Sequence, residues 1–500
     1  MINIKFKQIN DYIIRVNEKI LGTKNDIYYI SNSVLTRNPF TTKILSEEKD
    51  IPNVTRKFIL FSIIKYYLKA FVFFLIYVLK KIIYLIKRKQ KDIDNTILID
   101  TYFIVNKILE NKIYKDSYFL NIENVLEKDN YTYLVKNFYG SSLDLKKFYN
   151  LITILNKSDK NIICEFDFIT FSDLFKILFF IIMYPFKILE IKDILFNKSK
   201  VFEYSLIDSL YGNDFKSYIR YIVGKKLNIN YKFHKIISWC EYQDIDKSFY
   251  KGLHESDSEA KIYGCQFLVS YDSWLNFIVP KSEVQFNLAP DILLTNGKYY
   301  LDNIKVEHKL GVSLRYNHIF NSNNEEDENK LNSILVLGSF LKDETITLLK
   351  MVKTIDIKQK VIIRLHPTHN FSMYKKYLDE KWHLSGKESL QDVMNESFCI
   401  ITNGATGTSL EAVCNGKSTI IIGNTDKYNS IPLVDEGKGE IWDIAFSKDE
   451  IKVLYNKLID YRKNNINEIR NISDWYRDNF FIEPTEENII KVLELDKGNK

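Results

Sequence analysis

FCIITNGATGTSLEA, residues 398–412, joins a short apolar run to a loop of glycine and hydroxyl residues and then to the start of a helix. Such a run is typical of a buried strand in a parallel sheet. The loop after it offers backbone N–H groups, hydroxyls and a helix dipole to one anion. This predicts a phosphate site made by Asn403, Gly404, Thr406, Gly407, Thr408 and Ser409, with Glu411 placed to reach a ribose. The alternative is a tight turn whose hydroxyl caps the helix.

Two neighbouring apolar runs, VIIRLHP and SILVLGS, also end in polar residues. Pro367 fixes the turn after the first run, so His366 is expected to point toward a cleft. A histidine there can donate to a phosphate oxygen and stabilise a leaving phosphate. Arg364 belongs to the same site or pairs within the strand. Gly338 and Ser339 form a turn where a ligand can approach the backbone closely.

Short apolar runs alternate with amphipathic stretches over most of the chain, which is typical of parallel sheets with crossover helices. Five hundred residues exceed one core, and the polar run NSNNEEDEN (321–329) is typical of a linker. We therefore expect an α/β fold of two tandem Rossmann-like domains facing a cleft. The expected parts are an N-terminal segment (1–94), a first domain (95–320), a second domain (331–480) and a C-terminal helix and tail (481–500).

Carboxylates in the first half are candidates for proton transfer. Glu241 follows the apolar run KIISWC, where a carboxylate can act as a general base, and Asp244 stands close by. The alternative is a salt-bridged Glu241 and a helix-capping Asp244. Asp100, at the end of a predicted strand, and His318, near the domain crossing, are further candidates for the cleft.

The stretch 58–91 contains the uncharged run AFVFFLIYVL, which is shorter than the roughly 20 residues needed to cross a bilayer. At about 100° per residue, its lysines share one stripe of a helix. This predicts an amphipathic helix lying on an anionic membrane surface, with a core helix and a true span as alternatives. The stripe consists of Lys65, Lys69, Lys80, Lys87 and Lys91.

A second apolar run, ILFFIIMYPF, lies between Lys176 and Lys187 and repeats this pattern over residues 170–190. Pro185 is expected to kink or end its helix. The segment is predicted to contact the same membrane surface, or else to pack in a core.

Composition and motifs exclude several classes of protein. A net charge of +6 on 500 residues, without a nucleic-acid signature, argues against a nucleic-acid partner. There is no P-loop, no GxGxxG and no strand-flanked DxD, so no cofactor or metal is expected. The five cysteines lack ligand spacing and are expected to be reduced, and the N-terminus does not read as a secretory signal.

The motifs RLHP, TNGATGTSLEA and GKSTIIIGN together resemble the C-terminal domain of GT-B glycosyltransferases. They are most similar to bacterial surface-carbohydrate and capsule enzymes that use CMP-activated sugars, the Kdo and sialic acid transferases. WCEYQ, YGCQ, the APD of residues 289–291 and SLRYNHIF resemble the first domain of such a family, and the likeness covers roughly residues 96–480. It implies that His366 and Pro367 contact the nucleotide. It also implies a phosphate cradle of Thr406, Thr408 and Ser409, and a ribose contact at Glu411.

The resemblance implies a glycosyltransferase that moves a sugar from a nucleotide donor, most simply a CMP-sugar, to a surface polysaccharide or lipid-linked acceptor such as capsule or lipopolysaccharide. It would act without a metal, with Glu241 as the base, in the cytoplasm at the inner face of the bacterial membrane. The acidic-acidic-glycine motif of sialyltransferase-like members has no copy here. A CDP-glycerol or CDP-ribitol phosphotransferase of teichoic-acid-like synthesis, and an inactive scaffold that recruits other enzymes, are the alternatives.

Overall fold

The computed structural model describes residues 4–495, apart from 39–50, 89–95, 127–129, 140–142, 192–193, 195–198, 213, 257–258, 272–273, 302–306, 322–331, 367–368, 387, 405 and 426–428.

Within these residues the strands are β1 (Ile97–Ile104), β2 (Tyr131–Tyr139), β3 (Ile162–Ile163), β4 (Lys235–Trp239), β5 (Lys261–Gln266), β6 (Ile292–Thr295), β7 (Glu307–Leu310), β8 (Ser333–Leu337), β9 (Lys360–Arg364), β10 (His383–Leu384), β11 (Ser397–Asn403), β12 (Ser418–Ile422) and β13 (Trp442–Ala445).

The α-helices of the same residues are α1 (Ile4–Ile20), α2 (Asp26–Ile30), α3 (Arg56–Lys87), α4 (Val105–Asn111), α5 (Leu145–Lys157), α6 (Glu165–Phe168), α7 (Phe171–Ile191), α8 (Lys200–Asp208), α9 (Lys216–Asn230), α10 (Asp244–His254), α11 (Lys281–Gln285), α12 (His318–Asn321), α13 (Lys342–Val352), α14 (Leu390–Asn395), α15 (Thr408–Cys414), α16 (Lys448–Asn464), α17 (Ile466–Phe480) and α18 (Glu486–Val492).

The strands form two parallel sheets, one in each half of the chain. The first has the order β3-β2-β1-β4-β5-β6-β7 and the second β10-β9-β8-β11-β12-β13. Every residue of β8 and β11 is buried, as expected of parallel strands covered on both faces. Strand order reverses beside β1 and β8, and ligands of such sheets bind at the carboxyl ends near that reversal. The prediction of two tandem Rossmann-like domains is confirmed.

The apolar run SYFLN, residues 117–121, predicts a strand, and this prediction is wrong. The carboxylate of Asp116 accepts hydrogen bonds from the backbone N–H groups of Tyr118 (2.6 Å) and Phe119 (3.0 Å). This local turn satisfies donors that a sheet would otherwise use, so the segment does not extend. The predicted linker falls largely on 322–331, outside the described residues.

The domains meet through a shared apolar cluster and through the end of the chain. Val269 and Tyr316 of the first half pack in one cluster with Leu410 and Tyr476 of the second. The chain then returns to the first domain after α17, and α18 adds Ile489 to the first domain's core. The expected C-terminal helix therefore packs across the boundary between the domains.

Helix α3 lies along the first domain with one face inward. Its buried residues include Tyr66, Ala70, Tyr77 and Tyr84, which are spaced by whole helical turns. The opposite face carries exposed leucine, isoleucine, valine and phenylalanine, and α3 is long and apolar enough to cross a membrane by length and composition. Helix α7 continues this apolar surface with exposed Phe171, Phe175, Phe179, Ile182 and Phe186.

The predicted lysine stripe does not face outward as a unit. Lys80 is only 8% exposed, and its ammonium lies 5.2 Å from the ring centroid of Phe148. Lys69 donates to the carbonyl of Gly212 (3.4 Å), while Lys65 stays exposed and Lys91 lies outside the described residues. The outward face of α3 is therefore largely apolar, and Lys69 and Lys80 of the stripe lie against the first domain.

Helix α7 runs through Pro185 without ending, contrary to one of the two expectations. A proline removes the hydrogen bond to the carbonyl four residues earlier, here that of Ile181. The hydroxyl of Tyr66 donates to this carbonyl (3.1 Å), and Tyr67 donates to the next one, of Ile182 (2.7 Å). Because α3 supplies the missing donors, α7 continues to Ile191.

Candidate functional site

The carboxyl ends of β9, β8 and β11 lie side by side in the second sheet. The backbone N–H of Gly338 donates to the carbonyl of Arg364 (2.9 Å), and the rings of Phe340 and His366 are 5.2 Å apart in an edge contact. β8 separates β9 from β11, so at about 4.8 Å per strand the two outer loops stand roughly 10 Å apart. One nucleotide phosphate and its ribose can bridge that distance.

His366 is half-buried at the end of β9. Burial lowers the pKa of His366 below its usual value, and the nearby charge of His369 lowers it further. The imidazole is therefore neutral at pH 7 and carries one N–H donor. Pro367 lies outside the described residues. Arg364 points its guanidinium at the carbonyl of Glu388 (2.7 Å), which is the structural pairing considered for it.

The loop after β11 uses several of its polar groups internally. Thr406 Oγ1 donates to Thr408 Oγ1 (3.1 Å) and accepts from the N–H of Thr408 (3.3 Å). Ser409 is fully buried and donates to the carbonyl of Thr406 (2.9 Å), so its hydroxyl is used within the loop in this structure. The hydroxyl of Thr408 is partly exposed and keeps its own proton for a ligand.

Two further predicted residues of this edge hold the loops in place. Asn403 is buried at the end of β11, and its Nδ2 donates to the carbonyl of Glu344 (3.4 Å). Ser339 donates to the carboxylate of Glu344 (2.6 Å) and accepts from the N–H of Leu341 (3.1 Å). Gly404 follows Asn403 directly and is buried.

Glu411, in the first turn of α15, meets the first domain. Its Oε2 lies 2.9 Å from Nε2 of His318, with the two side chains 16% and 31% exposed. At Gly407, one turn earlier, an added Cβ would lie 3.3 Å from Val269, also in the first domain. The predicted phosphate loop and the predicted cleft histidine are therefore brought together at the domain boundary.

Glu241 lies just after β4 and is held from both sides. Its carboxylate accepts from Trp239 Nε1 (3.2 Å) and from Gln243 Nε2 (2.9 Å). Burial raises the pKa of Glu241 above its usual value, and the charge of Asp246 adds to this. The hydrogen bond from Trp239 and the positive charges of Lys136 and Arg315 act in the opposite direction. A fixed carboxylate with a raised pKa is suited to take a proton near neutral pH.

Arg315 connects these groups and was not among the predicted site residues. It is exposed, and its guanidinium lies 5.6 Å from the ring of Tyr118, which packs on Trp239 at 4.8 Å. Burial among its neighbours would lower the pKa of Arg315, but nearby acidic groups, Glu411 and Glu241 among them, raise it. The charges of a carboxylate from each domain, Glu241 and Glu411, therefore both act on this guanidinium. The motif SLRYNHIF contains Arg315, so the sequence did hold a signal that could have identified this residue.

Asp100 and Asp244 do not belong to this cleft. Asp100 lies inside β1 rather than at its end, has no exposed surface, and pairs with Lys136 (3.1 Å) and Arg220 (2.8 Å). Burial alone would raise the pKa of Asp100, but these two cations lower it. Asp244 accepts from Ser217 of α9, and Gln243 is the residue that caps α10. The capping role considered for Asp244 is thus filled by its neighbour.

No protein-family profile matches the sequence, and no curated protein matches it. Similar solved structures include a UDP-GlcNAc 2-epimerase from Neisseria meningitidis bound to UDP-GlcNAc, with 11% identity, a TM-score of 0.47 and coverage of 80% of this chain and 100% of that one. A glycosyltransferase from Rickettsia africae ESF-5 has 12% identity, a TM-score of 0.43 and coverage of 81% and 100%. The wall teichoic acid polymerase TagF has 11% identity, a TM-score of 0.38 and coverage of 86% and 96%. At these values the likeness does not identify an activity.

Proposed function

We propose that the chain is a glycosyltransferase that moves a sugar from a nucleotide-activated donor to an acceptor held at a membrane surface. The observation that carries the proposal is the 2.9 Å contact between Glu411 of the second domain and His318 of the first, which brings the predicted phosphate loop against the first domain. The charges of Glu411 and of Glu241, a carboxylate of raised pKa, both act on Arg315, and the hydroxyl loop precedes Glu411. This combination serves transfer to a hydroxyl from a phosphate leaving group.

In this reaction the acceptor oxygen attacks the anomeric carbon, and the bond from that carbon to the nucleotide phosphate breaks. Glu241 takes the proton of the acceptor hydroxyl, and the electron pair stays on the departing phosphate. Arg315 and the N–H of neutral His366 stabilise the charge that develops there. Glu411 and Thr408 bind the ribose and phosphate. The donor we favour is a CMP-sugar, and the acceptor is a surface polysaccharide or lipid-linked saccharide at the cytoplasmic face.

The donor assignment is tested by nucleotide binding to the full chain. CMP should raise the melting temperature more than UDP, GDP or CDP, because a ligand that binds only the folded state stabilises it. His366→Ala should weaken CMP binding by about tenfold, the cost of a hydrogen bond to a charged group. His383→Ala, on exposed β10, serves as the matched control. Equal affinity in wild type and His366→Ala rejects the donor site, and a preference for CDP selects the phosphotransferase alternative.

The base is tested separately by turnover. Glu241→Gln keeps the hydrogen-bond geometry but cannot accept a proton, so kcat should fall by about 10²–10⁴-fold while CMP binding stays unchanged. The control is Glu110→Gln, an exposed glutamate on α4. Full turnover by Glu241→Gln would assign the proton transfer to another group. A chain that binds no nucleotide would correspond to the scaffold alternative.

A further inference from the structure

A cavity of about 70 Å³ lies between α3 and the carboxyl ends of β2 and β3. Phe73 of α3, Phe166 of α6 and Phe215 before α9 form much of its apolar wall. Lys136 and Arg220 line it from below, toward the sheet. It is separate from the cleft described above and contains none of the residues assigned to donor binding.

Two buried polar groups of the wall have no hydrogen-bond partner within the described part of the chain. Arg220 is 3% exposed, and Nη2 donates to Asp100 (2.8 Å), while Nε and Nη1 are unpartnered. Tyr77, 8% exposed on α3, has an unpartnered hydroxyl. An unsatisfied buried donor is unfavourable, so an acceptor bound in this cavity would be stabilised by these groups.

The N-terminus of α9, a helix of 15 residues, opens at the same cavity. Its N-cap, Phe215, has a left-handed φ of 59° and gives no side-chain cap. The N–H of Lys216 donates to the carboxylate of Asp214 (3.3 Å), and the helix dipole favours negative charge at this end of α9. Lys216, the first residue of the helix, and Lys80 of α3 add positive charge to the wall.

Most of the acidic groups around the cavity are paired with cations of its wall. Asp214 is paired with Lys216 (3.3 Å), and Asp100 and Asp246 both pair with Lys136. Two acids remain: Asp244, which accepts from Ser217 and whose pKa burial raises to about 6, and Glu165. Burial raises the pKa of Glu165, with the charges of Lys216, Lys80 and Arg220 opposing it. Once protonated, Glu165 can itself donate to an anion.

The cavity is bounded on one side by α3, whose opposite face is exposed and apolar. Phe73, Ile76 and Lys80 belong to the wall, while Leu75 and Leu79 of the same helical turns point outward with 62% and 46% exposure. An anion that enters beside α3 can therefore carry a long hydrocarbon chain along the outer face of the helix. Inorganic anions and free nucleotides have no such hydrocarbon chain.

We propose that this cavity binds the phosphate headgroup of a membrane lipid, with the hydrocarbon chain following the outward face of α3. The inference rests on the membrane contact in the proposed function but not on sugar transfer. It would place an acidic or saccharide-bearing lipid phosphate on the first domain, the acceptor side of the molecule.

The full chain is titrated by calorimetry with dodecyl phosphate below its micelle concentration, with dodecanol, and with inorganic phosphate. Dodecyl phosphate should bind one to one, and each of the other two probes should bind at least about tenfold more weakly, since each lacks one half of the ligand. Lys216→Gln should weaken dodecyl phosphate binding by about tenfold. Glu165→Gln, which imitates the protonated acid, should strengthen it.

Lys225→Gln, on the opposite face of α9, is the matched control and should bind dodecyl phosphate as wild type does. CMP affinity, measured in all variants, separates this site from the donor site and should not change. Equal dodecyl phosphate affinity in wild type, Lys216→Gln and Glu165→Gln overturns the proposal. Saturation by inorganic phosphate at the same affinity shows a soluble anion site and overturns the lipid assignment, and equal binding of dodecanol overturns the headgroup assignment.

Discussion

Replacing Leu68 and Leu75 of α3 together by glutamine tests the membrane contact directly. The two leucines lie seven residues apart on one face, and they are 67% and 62% exposed. Full burial of a leucine side chain contributes about 1.5–3 kcal/mol. Scaled by these exposed fractions, the pair contributes at least ~2 kcal/mol of transfer into the acyl boundary, or about 30-fold in affinity.

The assay is co-sedimentation of the full chain with vesicles that contain anionic lipid. Val453→Gln is the control, because this valine is 65% exposed on α16 of the second domain. Circular dichroism and the urea midpoint should be unchanged in all variants, since none of the replaced side chains is buried. A loss below threefold in the double variant, or an equal loss for Val453→Gln, would refute membrane contact by this face of α3.

Three further predictions concern stability, measured by urea unfolding. Lys136→Met removes one of the two cations paired with the buried carboxylate of Asp100 and should lower the free energy of unfolding by about 3–5 kcal/mol. A decrease below ~1 kcal/mol would contradict the pairing. Tyr66→Phe leaves the Ile181 carbonyl without its donor and should cost about 1–3 kcal/mol, whereas an unchanged midpoint would show that water replaces the hydroxyl. Burial alone would raise the pKa of Asp173, but hydrogen bonds led by that from Lys226 lower it to about 2. The stabilisation by the Asp173 carboxylate is thus present above pH 4 and lost as pH falls toward 2. The loss of unfolding free energy in Asp173→Asn, relative to wild type, should therefore shrink over that interval and should not grow.

Lys107→Met is the matched control for Lys136→Met, because Lys107 is an exposed residue of α4. Its free energy of unfolding should stay within about 0.5 kcal/mol of wild type.

The fold could be predicted from local sequence because most of its strands are short, mainly apolar and separated by amphipathic stretches. The apolar runs at Ser333–Leu337 and Ser418–Ile422 are strands with those bounds. The edge strands β7, β10 and β13 escaped prediction because their patterns are partly exposed or very short. The strand prediction for residues 117–121 was wrong because Asp116 forms a local turn there, although the run that follows it is apolar.

The site was harder to predict because strand ends show which loops meet but not which way side chains turn. Glu411 and His318 were both singled out, and only the folded chain shows their 2.9 Å contact. Ser409 shares its spacing with threonines that stay accessible, yet it turns inward. Arg315 looked ordinary in sequence because its importance comes from carboxylates 74 and 96 positions away, at Glu241 and Glu411. No local pattern carries that information.

The return of α18 to the first domain affects the order in which the protein can be assembled during synthesis. Ile489 and Leu493 belong to the core of a domain whose first strand begins at Ile97. The ribosome must therefore translate the whole second domain before the first one has all of its interior. Until then the N-terminal half of the nascent chain has an incompletely packed core and an exposed apolar surface on α3. Holdase chaperones bind such exposed apolar surfaces. The first domain is therefore synthesised first but completes its core last.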